Sequence, residues 1–95
     1  MGLAEEWKSW RERPFPSQVP ASSDLGFELR SLDTVAAGCL DTYFSRGRLD
    51  DERIQALERC VRDLDSLLPQ VPAHSSEYFA ALADLCRRVL GAVSA

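Results

Sequence analysis

Apolar side chains recur along this chain mainly at helical spacing. The most regular stripe is Ile54, Leu57, Val61, Leu64 and Leu68, widened by Cys60 and Leu67. Steps alternating between three and four residues place these side chains on one face of an amphipathic helix. Asp50 supplies the expected N-cap, a carboxylate able to accept a bond from an unpaired first-turn N–H. Leu49 and Ile54 hold the two positions of a hydrophobic staple. Asp51 and Glu52 put negative charge at the positive end of the helix dipole. Pro69 and Pro72 stop the element, so the pattern predicts a helix over about residues 50–68.

A second stripe, Tyr78, Leu82, Leu85 and Val89, is flanked by Phe79, Cys86, Leu90 and Val93. It predicts a helix over about residues 75–91 with Ser75 or Ser76 as its cap. Two such helices joined by a short turn, here residues 69–74, pack as an antiparallel hairpin.

Upstream, residues 31–46 read as helix, with Gly47 as the left-handed residue after its end. Two starts are compatible with the pattern. Leu25, Leu29, Leu32, Ala36, Cys39 and Tyr43 form a helical stripe that begins near residue 24. Leu25, Phe27 and Leu29 also alternate as in an extended segment, which would make Ser31 the cap. Gly26 weakens the longer version, because glycine in a helix interior costs about 1 kcal/mol relative to alanine. The small residues Ala36, Ala37 and Gly38 would let a neighbouring helix approach closely.

Nearer the start, Leu3, Trp7 and Trp10 predict a short helix over about residues 3–13, ended by Pro14. Residues 14–23 hold three prolines and read as a loop. The expected fold is all-α: a small bundle of three main helices plus the short N-terminal helix. One domain spans residues 1–95, with residues 1–22 as an arm and linker.

Charge narrows the partners. Eleven basic residues are dispersed among fifteen acidic ones, for a net charge of −4. That is a poor footprint for nucleic-acid phosphates and for an anionic membrane surface. No apolar run is long enough to span a bilayer, and the first residues do not have the pattern of a signal peptide. The Gly2 context resembles a myristoylation signal, but Glu6 stands where that signal has Ser or Thr. Three cysteines, an odd number, fit a reducing compartment. The expectation is a cytoplasmic protein without nucleic-acid or membrane partners.

Candidate chemistry is sparse. Cys39, Cys60, Cys86 and His74 are the inventory of a structural zinc site. Counting along the helices brings the three thiols within one turn of each other in height, whereas His74 lies about 20 Å away in the far turn. Core packing is therefore the preferred reading for the cysteines, with no metal and no cofactor expected. Asp33 and Asp41 lie near one line of a helix and are expected to face water. Ser75 and Ser76 read as caps rather than nucleophiles, and His74 as a solvated turn residue.

The arm is the most informative feature. Its Leu3, Trp7 and Trp10 match the spacing of a helix lying in a groove, and Phe15 follows closely. The favoured reading is docking on the chain's own domain as a fourth helix. The alternatives are a partner-binding arm carried by Leu3, Trp7, Trp10 and Phe15, or an arm exchanged with a second copy in a homodimer. The functional expectation is a non-catalytic protein-interaction or regulatory domain, such as an adaptor, inhibitor or immunity-like protein. A bundle binding a small molecule or metal near the cysteine layer is the alternative, and a stand-alone enzyme the least supported reading.

Overall fold

The computed structural model describes residues 2–20 and 22–94. Four helices pack against one another: α1 (Leu3–Arg11), α2 (Asp24–Arg46), α3 (Asp51–Leu67) and α4 (Ala73–Ser94). No described residue is in a strand. A single 3₁₀ turn, Leu68–Gln70, joins α3 to α4. The all-α bundle with a terminal helical hairpin is the architecture that the apolar pattern predicts.

Helix α3 is central, packed on α2 and on α4. Leu29 and Leu40 of α2, Leu57 and Leu64 of α3, and Phe79, Leu82 and Val89 of α4 are completely buried. Cys39 lies against the Arg53 carbonyl and Cys60 against the Leu32 carbonyl, so α2 and α3 run in opposite directions. Asp50 caps α3 as expected, accepting from the Arg53 N–H at 2.9 Å. Gly47 ends α2 with φ 77°, its N–H donating to the Tyr43 carbonyl.

Helix α2 takes the longer of its two predicted forms. Ser23 caps it, accepting from the Gly26 N–H at 2.9 Å while its hydroxyl donates to the Pro20 carbonyl at 2.7 Å. Ser31 is not a cap; it lies inside the helix and donates to the Phe27 carbonyl. Phe27 points outward and is 69% exposed, so the apparent alternation with Leu25 and Leu29 carried no strand signal.

The expected start of the last helix is corrected. It begins at Ala73, and Pro72 supplies the carbonyl that accepts from the Ser75 and Ser76 N–H groups. Ser75 is instead buried beside Gln18, and the Ser76 hydroxyl donates to the Ala73 carbonyl. The Pro72 carbonyl thus satisfies first-turn N–H groups that a serine cap would have served. Helix α1 ends at Arg11, two residues short of its predicted end.

The i,i+4 spacing of Glu58 with Arg62 and of Arg59 with Asp63 predicts ion pairs on the outer face of α3, but neither is formed among the described residues; Asp65–Arg87, at 2.9 Å, joins α3 to α4 instead. Exposed i,i+4 pairs are worth only a few tenths of a kcal/mol and do not fix side-chain positions.

Candidate functional site

The arm places two tryptophans one turn apart on the inner face of α1. Their rings stack on each other with centroids 5.8 Å apart. Trp7 also stacks on Phe44 of α2 at 5.9 Å, and Trp10 lies on Tyr78 of α4 at 4.8 Å. The Trp10 indole N–H donates to the Tyr78 carbonyl at 3.1 Å, a buried bond across 68 residues of chain. A buried indole N–H needs such a partner, because leaving it unpaired costs about 1–3 kcal/mol.

Trp7 and Trp10 are only 5% and 6% exposed. Phe15 continues the cluster beyond Pro14, edge-on to Tyr78 and Phe79. Leu3 packs at the periphery of the same core. The structure therefore brings Leu3, Trp7, Trp10 and Phe15 together on the chain's own α2 and α4. This is the docked arrangement that the sequence reading favours.

Ion pairs rim the docked arm: Glu6–Arg88 at 2.6 Å, Arg11–Asp41 at 3.2 Å, and Arg13–Glu77. Solvent-exposed pairs of this kind contribute about 0–1 kcal/mol each, so they orient α1 more than they hold it. None could be found by spacing along one helix, since each joins the arm region to a distant helix.

Beside α1, between the arm and α2, lies a cleft of about 470 Å³. Trp7, Trp10, Phe15 and Tyr78 form its aromatic side, Ala37 and Gly38 of α2 its floor, and Arg11, Arg13, Asp33 and Asp41 its charged lining. The small patch does not receive a neighbouring helix at Gly38, where an added Cβ would meet nothing within 4 Å. Its missing side chains instead leave the space of the cleft. Only Ala36 of the three small residues is buried in the core.

Asp33 stands on the cleft wall, and its position corrects an expectation. Asp41 faces water as predicted, but Asp33 is half-buried and accepts from the Tyr78 hydroxyl at 2.7 Å. Tyr78 belongs to the apolar stripe of α4, so this contact was invisible along α2. Burial lifts the Asp33 carboxyl above the usual range, opposed by the Tyr78 bond and by Arg30 nearby. Burial and then Asp33 push the Tyr78 hydroxyl up in turn.

The raised Asp33 value has a sign that can be tested. The folded chain holds a proton there at pH values where the unfolded chain has lost it. Its stabilising contribution is present at low pH and is lost as pH rises through the raised folded value. Asp33→Asn keeps an acceptor for Tyr78 and stays neutral. That variant should melt above the wild type at neutral pH, with the gap narrowing as pH falls towards roughly 4. Asp50 and Glu77, whose values are lowered, run the other way but cancel between the two proteins. Thermal melts across this range check it; a gap independent of pH would refute the assignment.

All three cysteines are buried and unpaired by disulfides. Burial, then the neighbouring Cys39, pushes the Cys60 thiol up to about 11. Burial also raises Cys86, with Cys60 and Cys39 next in effect. A thiol held neutral in this way is a weak nucleophile. His74 is exposed in the first turn of α4. Among the described residues, no group of three or more His, Cys, Asp or Glu side chains is placed to hold a metal ion. No helix among the described residues is long and apolar enough to cross a membrane. In comparisons with known proteins, no family model, no curated protein and no solved structure matches this chain.

Proposed function

We propose that the chain is a non-catalytic protein-interaction module whose α2–α4 groove takes a short amphipathic helix bearing aromatic anchors. One observation carries this reading. A nine-residue helix is held in that groove chiefly by two tryptophans, and a proline-containing loop tethers it. A groove filled by so short a segment of its own chain can take a similar helix from elsewhere. The donor is α1 of a second copy, through Leu3, Trp7, Trp10 and Phe15, or a helix of a protein partner. Tryptophan's frequency among interface hot spots fits the same role.

A fluorescent peptide of residues 1–16 tests the exchange. It should bind the Trp7→Ala/Trp10→Ala chain with a dissociation constant on the order of micromolar, and the wild type more weakly, because the native arm competes. Circular dichroism should show α2–α4 still helical in that variant. If it unfolds, Glu6→Arg/Arg11→Glu, which reverses two rim pairs and leaves the core intact, decides instead. Peptide binding to this variant no stronger than to the wild type would remove the reading.

A further inference from the structure

We propose that the cleft beside α1 binds a small organic cation, an ammonium group on an apolar body, with Asp33 as its counter-ion. This inference needs α1 docked on its own chain but does not depend on helix exchange. Asp33 spends one oxygen, Oδ2, on the Tyr78 hydroxyl. Its Oδ1 makes no hydrogen bond among the described residues. No side-chain nitrogen or oxygen sealed from solvent lacks a partner there either, so Oδ1 is in contact with solvent, on a residue that lines the cleft.

The cations nearby are engaged elsewhere. Arg11 pairs with Asp41 and Arg13 with Glu77. Arg30 lies 4.2 Å over the Phe15 ring; it is near enough to favour the Asp33 carboxylate but is not among its ion-pair partners in the described residues. Asp33 is thus the carboxylate on the cleft wall without an ion-pair partner among the described residues. The surrounding aromatic surface already attracts cations: besides Arg30 on Phe15, Arg13 sits 5.5 Å over Tyr78.

These features select the ligand's chemistry. Arg11 and Arg13 also line the cleft, but their charges are taken up by Asp41 and Glu77, so Asp33 is left to disfavour an anion. A neutral molecule would cover a half-buried carboxylate without neutralising it. A bare metal ion would find one carboxylate and no further set of ligands. An organic cation supplies the charge to Asp33 and an apolar body to Trp10, Phe15, Ala37 and Gly38. The cleft volume of about 470 Å³ lies within the range of small-molecule sites.

Phenethylammonium chloride and its neutral analogue phenethyl alcohol, titrated into the ¹⁵N-labelled full chain, test the proposal. The ammonium should give saturable shifts at the Trp10 indole and the Gly38 amide, with a dissociation constant of about 1 mM or below. The alcohol should bind at least about tenfold more weakly, as should the ammonium to Asp33→Asn. Gly38→Leu, which fills the floor and spares Asp33, should abolish the shifts and serves if the Asn variant does not fold. Nα-acetyl-lysinamide identifies the natural source. Weaker binding than phenethylammonium favours a free amine and tighter binding a lysine side chain, and both outcomes support the cation site. No saturable shift by roughly 10 mM, or equal binding of the alcohol, overturns it.

Discussion

Trp10→Ala is expected to lower folding stability by about 3–5 kcal/mol, the range for removing a large buried aromatic. The substitution deletes the ring that lies on Trp7 and Tyr78, and with it the indole bond to the Tyr78 carbonyl. Urea denaturation followed by circular dichroism measures the effect as a lower midpoint. The size of the loss is informative. If α1 can leave its groove while α2–α4 stay folded, the substitution can cost no more than the free energy of docking the arm. A loss below about 1 kcal/mol would mean that the arm is largely undocked in solution, against the burial seen here.

Gly26→Ala should destabilise, although alanine is favoured over glycine by about 1 kcal/mol in an ordinary helix interior. An added Cβ would lie 1.9 Å from the Pro20 carbonyl oxygen and 2.9 Å from its carbon. Those are backbone atoms, so the proline loop itself must move, and the Ser23 cap bonded to both Pro20 and Gly26 moves with it. Overpacking of this kind costs about 1–3 kcal/mol, which exceeds the propensity gain. Gly38→Ala is the control, because its Cβ enters open space. At about 4–8 °C per kcal/mol for a chain of this size, Gly26→Ala should melt roughly 10 °C lower and Gly38→Ala several degrees higher. A higher melting temperature for Gly26→Ala would show that the loop does not press on α2 as described.

Gly26 also shows where sequence reading stops. A glycine in a helical stripe counts against the helix when only local propensity is weighed. Its reason is the Pro20 carbonyl, a contact that only the folded chain supplies. The long periodic stripes of α3 and α4 were legible because one buried face dominates each of them, and Asp50 and Gly47 marked ends by purely local chemistry. The start of α4 was misread because two serines outranked Pro72, whose carbonyl does the capping.

The candidate site divides in the same way. Trp7 and Trp10 announced a buried or binding face by spacing alone. What they would meet, Phe44 and Tyr78, lies on other helices and has no signature in the arm. Asp33 read as a solvated acid for the same reason, since its partner comes from α4. The burial of the three cysteines was legible in the sequence, because each lies within an apolar helical stripe.

The tryptophan stack also has an optical consequence. The chain has two tryptophans, and both lie in the arm. Indole emission therefore reports one event, α1 leaving its groove, while ellipticity at the helix band is dominated by the three longer helices. The two spectroscopic curves superimpose only if the arm and the bundle come apart together. Should the emission curve lead during heating, the molecule would be displaying its own sub-global opening, with no label attached.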